Sequence, residues 1–218
     1  VTSSSDLHAV AEKIRATHGA PTILINNAGI HVSKPILEES EEEVRRVFNI
    51  NTIAHWLTVK EFVPSMVESN HGHVVTIASM ASFVAYAGNV DYCCTKAAAW
   101  AFSEGLAGEL RWLYKAPNVR TTSVHPLWVR TPMVTDALGD KLEKFERAQG
   151  LIEPATVAEL VVKQLHEGSS GQIVIPEGRG HATGLRGWPH WLQLVVRNGV
   201  NSGVARFTES VKRSKKEL

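Results

Sequence analysis

Two cysteines are the only thiols in this 218-residue chain, and they are adjacent: Cys93 and Cys94. Neighbouring side chains on a helix diverge, so an ordinary disulfide cannot join them. A disulfide-stapled scaffold is therefore excluded, and the chain reads as a reduced, intracellular protein in which both thiols fill space on a packed helix. No run approaches the ~18 apolar residues of a membrane-spanning helix, and no signal-peptide pattern opens the sequence. No charge of one sign dominates. Lys and Arg number 23 against 22 Asp and Glu, a formal charge of +1, so no basic stripe points to nucleic acid. The basic run Lys212-Arg213-Ser214-Lys215-Lys216 is short and reads as a solvated terminus. The final Lys215-Lys216-Glu217-Leu218 departs from the Lys-Asp-Glu-Leu retrieval signal. No linker rich in Pro, Gly or Ser divides the chain, and no repeat appears, so one domain over 1–218 is expected. His71-Gly72-His73 alternates as metal ligands can, but lacks a nearby third ligand. It reads as a turn before a strand, and no metal is expected.

What is present is a regular alternation. Leu7, Val10, Ala11 and Ile14 share one face of a helix over 7–17. Thr22-Ile23-Leu24-Ile25 reads as a short buried strand. Ser40 with Glu43 forms a capping box opening a long helix toward Glu68, which Pro64 kinks or ends. Val74 to Ala78 is the next strand, and Asp91 to Leu113 a second long helix. Arg120 to His125 is a strand stopped by Pro126. Thr156 with Glu159 caps a helix reaching Glu167, and Gln172-Ile173-Val174-Ile175 is the last strand. Alternating units with continuously apolar strands predict an α/β fold, a parallel sheet covered by helices. Met133 to Pro154 reads as a polar loop lidding the sheet's C-terminal edge. Arg179 to Phe207, with Trp188, Trp191 and Phe207, reads as a segment that caps an apolar substrate, touches a membrane surface or packs on a second subunit.

The chemistry concentrates at one sheet edge. Tyr92 and Lys96 lie one turn apart on a helix and point the same way. An ammonium beside a phenol favours the phenolate, so Lys96 is expected to lower the Tyr92 pKa and make it usable in proton transfer. Ser79 follows the strand 74–78, where open α/β sheets bind ligands. Serine, tyrosine and lysine there could hold a carbonyl oxygen and pass it a proton. Asn26-Asn27-Ala28-Gly29 leaves the first visible strand with small residues that let backbone approach a ligand. Asn51 stands inside a helix, where asparagine is a mediocre former and needs a reason. His125-Pro126-Leu127-Trp128-Val129-Arg130-Thr131-Pro132 forms a defined loop at the same edge.

In order and spacing, Asn26-Asn27-Ala28-Gly29, Asn51, Ser79, Tyr92-x-x-x-Lys96 and the loop from Pro126 to Thr131 resemble the short-chain dehydrogenase/reductase family, over about residues 1–178. The stretch from Asn51 to Trp56 and Lys60 to Pro64 is similar to its retinol- and hydroxysteroid-dehydrogenase-like members. The resemblance implies a Rossmann-like doubly wound parallel sheet and an NAD(P)-dependent oxidoreductase that interconverts a lipophilic alcohol and its carbonyl compound. It implies Tyr92 as general acid or base, and Lys96 as the group that tunes Tyr92 and bonds the nicotinamide ribose. It implies Ser79 orienting the substrate oxygen and Asn51 holding a water that links Lys96 to solvent. Asn26, Ala28 and Gly29 would line the cofactor together with Tyr92 and Lys96, and Val129 and Thr131 would meet the carboxamide. Ser82 sits too close to Tyr92 for the family spacing and reads as a loop hydroxyl.

Two features depart from the pattern. Leu127 stands where the family often has glycine, which bears on Val129 and Thr131. Nothing matches the family's Thr-Gly-x-x-x-Gly-x-Gly turn, which binds the pyrophosphate at a helix N-terminus. Val1-Thr2-Ser3 looks like the end of the family's third strand, so an N-terminally truncated sheet is expected, with 179–218 as a substrate cap or association segment. The expected cofactor is NADP, with NAD as the alternative. The expected partners are a small lipophilic substrate and a second copy of the chain, with peripheral membrane contact open. The expected place is intracellular: cytoplasm, or the surface of endoplasmic reticulum or lipid droplets. The rival reading is a catalytically inactive chain acting as a binding or dimerisation module.

Overall fold

The computed structural model describes residues 1–214, with side chains to Val204. Phe207 and the basic tail from Lys212 onward therefore lie outside the described side chains. Four parallel strands form one sheet in the order β1 (Ile23–Asn26), β2 (Gly72–Ile77), β3 (Val119–Pro126) and β4 (Gly171–Ile175). Helices cover both faces, the Rossmann-like layering that alternation of apolar strands with helices dictates.

Local chemistry sets the element ends. The Ser3 hydroxyl accepts from Asp6 N to open α1 (Ser4–His18), and Gly19 closes it at φ +80°. Ser40 and Glu43 form the expected reciprocal capping box before α2 (Glu41–Phe48). The long helix then widens through one π turn, Asn49–Ile53, before continuing as α3 (Ala54–Ser69). Such a bulge admits an extra residue, and Asn51 occupies it. Pro64 lies inside α3 without ending it; the helix stops at Asn70, which takes left-handed backbone. A Cβ on Gly72 would sit 2.6 Å from Met66 Sδ, so the α3–β2 approach requires glycine there.

The Tyr92 helix, α4, runs Val90–Trp112. One core packs the sheet against α3 and α4 through Val63, Met66, Val74, Leu106, Leu110 and Val119. The second packs Val75, Val124 and Ile175 against Val161 of α7 (Pro154–Glu167).

Three expectations change. The loop expected over 133–154 is largely helical: α5 (Pro132–Leu138) and α6 (Leu142–Gln149), separated by a tight turn at Gly139–Lys141. The last helix of the sheet begins at Pro154, whose fixed φ suits a first helical position, so Thr156 is inside the first turn and is not its cap. The third change is partial: β1 reads as a short buried strand, but as the edge of the truncated sheet expected above it has Ile23 and Ile25 about half exposed. These alternate residues share the face away from α3, and α7 covers that face only farther along the sheet. The C-terminal segment turns through 177–187 and enters α8 (His190–Ser214). Among the described residues, no helix is long and apolar enough to cross a membrane.

Candidate active site

The C-terminal edge of the sheet gathers most of the residues singled out in the sequence. Lys96 is 4% exposed and donates to the Ile77 carbonyl at 2.7 Å. Burial pushes its pKa down to about 8. An ammonium has three donors, and one is spent on Ile77. Its Nζ lies 5.7 Å from the centre of the Tyr92 ring.

The Tyr92 phenol is shifted upward, above the ordinary tyrosine value. Burial is the main cause; the Ser79 hydroxyl opposes it, and Cys93 adds to it. This corrects the expected depression of the tyrosine by lysine. Helical spacing fixes direction but not depth: the loss of water around the phenol sets the shift, and it is the Ser79 hydroxyl, not Lys96, that opposes it.

Ser79 is buried, in extended backbone at the exit of β2. Its Oγ accepts from Ala81 N at 3.1 Å and donates to the Pro126 carbonyl at 3.5 Å. His125, absent from the sequence-predicted set, donates from Nδ1 to the Ser79 carbonyl at 3.2 Å. That fixes its tautomer, leaving Nε2 to accept from Ser123 at 3.0 Å and Gln172 at 3.3 Å. His125 is fully buried against Phe83 and Trp100, and burial holds its pKa down at about 4. Its position immediately before Pro126 was the available signal. Ser82 lies fully buried and donates to the Lys96 carbonyl at 2.8 Å, tying the loop after β2 to α4.

Asn51 answers the question its sequence position raises. Its Nδ2 donates to the Ile30 carbonyl at 2.8 Å and to Thr95 Oγ1 at 3.0 Å, while its Oδ1 accepts from Ile30 N at 2.8 Å. The loop after β1 is thereby fastened to α4. Gly29 lies in that loop, where a Cβ would stand 3.4 Å from Lys96 Nζ and 3.5 Å from Asn51 Oδ1. One turn past Asn51, His55 is buried beside Phe102. Its pKa falls to about 4, from burial first and the Lys96 charge second.

The Asn26 side chain turns away from the sheet edge. It is 6% exposed, and its Oδ1 accepts from Thr58 at 2.8 Å. The residues exposed after β1 are Asn27, the one motif position there to which the resemblance gives no role, and Ala28. Val129 and Thr131 are half-buried at the same edge. Val129 forms a single parallel bridge with Ile152, and Thr131 N donates to the Val129 carbonyl at 2.8 Å. Arg130 between them bonds Glu146 of α6 and Glu153, the latter at 2.7 Å. Of His71-Gly72-His73, His73 lies in β2 and contacts Thr122 Oγ1 at 2.7 Å.

The short chain dehydrogenase sequence model matches residues 1–141. Dehydrogenase RED3 of Cochliobolus heterostrophus is 52% identical over 122 residues, covering 56% of this chain and 62% of that protein. Human estradiol 17-beta-dehydrogenase 11 is 35% identical over 144 residues, covering 65% and 48%. The chain thus spans about half to three fifths of the length of these relatives. Among solved structures, an alcohol dehydrogenase from the archaeon Thermococcus sibiricus, complexed with 5-hydroxy-NADP, superposes with a TM-score of 0.68 at 23% identity. It covers 80% of this chain and 70% of that one. At that identity the likeness is one of fold. With its sequence matched over most of its length, the chain belongs to the short chain dehydrogenase family.

Proposed function

We propose that the chain is an oxidoreductase that interconverts a lipophilic alcohol and its carbonyl compound, using a nicotinamide coenzyme, NADP in the first instance and NAD as the alternative. The observation that carries this reading is the juxtaposition of Ser79, Tyr92 and Lys96 at one strand end, with Lys96 buried and bonded to Ile77. The coenzyme, when bound, supplies the hydride chemistry. The protein's share is position and protons. The phenol is protonated near neutral pH and so has a proton to give to a carbonyl oxygen, while the burial that raises its pKa makes it the weaker acid until a bound partner offsets it. Ser79, held through its own carbonyl by His125, orients that oxygen.

The fit to a nicotinamide ribose rests on two features. Lys96 keeps two N–H donors beyond the one spent on Ile77, and a buried ammonium needs acceptors. Gly29 leaves the floor beside that ammonium free of a side chain. Ala28, Gly29, Val129 and Thr131 would hold the coenzyme from the loop edges. Asn51, with one Oδ1 lone pair left, would hold a water that links Lys96 to solvent.

A lipophilic substrate is supported by the side chains near Tyr92. Tyr86 packs edge-on to Trp128 at 6.0 Å between ring centres, and Trp128 packs edge-on to Phe145 at 5.3 Å. The names of the estradiol- and retinol-dehydrogenase relatives agree with that choice. The C-terminal segment folds back on the loop after β2, through Arg186 to the Ser82 carbonyl and Asn201 to Ala87 N. In our reading it caps the substrate side. Its exposed Trp191, Leu194 and Val195 offer a peripheral contact with an intracellular membrane or lipid-droplet surface. Exposed Trp56 and Trp112 on α3 and α4 suit a second copy of the chain.

The test is coenzyme turnover by the polypeptide of residues 1–218, assayed with retinoids, steroids, fatty alcohols and short polar alcohols. The apolar members should give the higher kcat/KM. Turnover confined to sugars or short hydroxy acids overturns the substrate class, and absence of turnover with every member overturns activity of this chain in favour of the rival reading, an inactive binding or dimerisation module.

A further inference from the structure

We propose that His31 is a positioning residue that clasps α5 onto the Tyr92 site and so sets how the α5–α6 cover closes over it. In its consequence for substrate, this rests on the function proposed above. In its structural content it stands alone.

His31 lies two residues beyond Gly29, in the loop after β1, and is half-buried. One imidazole joins segments that are far apart in the sequence. Nε2 is 2.9 Å from the Met133 carbonyl in the first turn of α5. A carbonyl only accepts, so Nε2 carries a proton and donates to it. With Nε2 protonated, Nδ1 accepts, and the one proton of the Ser33 hydroxyl, 2.6 Å away, is shared between Nδ1 and Asn89 Oδ1, which lies 3.0 Å from the same oxygen immediately before α4. The ring edge faces Tyr92, 6.3 Å between centres at 72°. The loop after β1, the start of the Tyr92 helix and the first turn of the cover therefore meet on one side chain.

The local backbone is shaped for this contact. Ser33 takes φ +58°, a left-handed conformation uncommon outside glycine. Its hydroxyl is placed between His31 and Asn89 as a result. The far end of the cover has its own fastening, Arg130 to Glu146 and Glu153. Two short helices of seven and eight residues are marginal without tertiary support. The His31 bond is a polar tie between the start of that pair and the loop that approaches Lys96. None of the motif positions includes His31, so a role in the reaction would come through placement of Tyr92's surroundings and not through contact with the reacting atoms.

Hydrogen exchange followed by mass spectrometry on the intact chain separates this role from ordinary packing. His31→Phe keeps a ring against Tyr92 but loses both polar ties. His31→Gln keeps an N–H able to reach the Met133 carbonyl. Amides of residues 132–149 should exchange about tenfold faster in His31→Phe, the factor corresponding to one ordinary hydrogen bond lost from a local opening. Strands β2 and β3 should be unchanged, and His31→Gln should restore most of the protection. With a turned-over substrate, His31→Phe should raise KM several-fold more than it lowers kcat. Unchanged exchange over 132–149 in His31→Phe overturns the clasp. So does equal loosening in His31→Gln, or loosening that extends to β2 and β3. If the wild-type chain turns over no substrate while the exchange pattern appears as stated, the clasp stands and the proposed function fails.

Discussion

Replacing Lys96 with methionine should make the protein more stable while removing its proposed chemistry. Lys96 is 4% exposed, and burial lowers its pKa from 10.5 to about 8. At about 1.4 kcal/mol per tenfold, that gap means roughly 3 kcal/mol spent holding the ammonium out of water at pH 7. Methionine fills a similar volume without charge. It leaves the Ile77 carbonyl without its donor, which costs about 1 kcal/mol. The net expectation is a gain of about 2 kcal/mol, or roughly 4–8 °C in Tm for a chain of this size. The pH dependence fixes the cause. Between pH 8 and 10.5 the unfolded chain still binds the Lys96 proton and the folded chain does not, so wild-type stability rises through that window. The advantage of Lys96→Met is therefore full below pH 8 and closes toward pH 10.5. Urea denaturation of both proteins at pH 7 and pH 10.5 measures it. A variant less stable than wild type at pH 7, or an advantage that does not shrink at alkaline pH, refutes the reasoning.

His55 and His125, both held down at about 4 against an ordinary 6.5, should make the fold acid-sensitive. Below pH 6.5 the unfolded chain takes up protons that the folded chain refuses, so stability falls as pH drops from 6.5 to about 4, by at most roughly 3 kcal/mol per histidine. Urea titrations at pH 7 and 4.5 check this, and His55→Phe should remove its share of the loss. Asn51→Ala removes three bonds and strands both polar groups of Ile30, so unfolding free energy should fall by about 2–3 kcal/mol. Calorimetric melting would expose a smaller effect. Lysine at Ile23 and Ile25, each about half exposed on the sheet's edge strand, should reduce self-association in sedimentation experiments and leave Tm within a few degrees. Increased association would contradict that reading of the edge.

Much of the layout is legible in the sequence because it depends on local chemistry. The Ser40–Glu43 capping box, the apolar runs that became β2 and β3, and the one-turn offset of Tyr92 and Lys96 each follow from spacing alone. Asn51 stands out in the sequence as an unfavourable residue inside a helix, and the π turn with its Ile30 bonds is the reason. What was not legible depends on neighbours. Over 133–154 the two helices are only seven and eight residues long and are broken by Gly139 and Gly150, so the apolar face of Leu142 and Phe145 is too short to stand out in the sequence, and α5 and α6 gain order from ties such as Arg130–Glu146. The exposure of Ile23 and Ile25 is a property of what packs on β1, which no four-residue strand encodes. The direction of the Tyr92 shift turns on how deeply the phenol is buried, and the inward turn of Asn26 on a Thr58 hydroxyl thirty-two residues away.

The most direct test of the central claim follows the hydride. Coenzyme carrying deuterium at the transferring carbon is incubated with the chain and a lipophilic aldehyde or ketone, and the alcohol is analysed by mass spectrometry. The account predicts one deuterium in the product alcohol with the wild-type chain. It predicts product formation at least ~100-fold slower in Tyr92→Phe, the scale for loss of a general acid. Alcohol formed without deuterium, or at an unchanged rate in Tyr92→Phe, would contradict it.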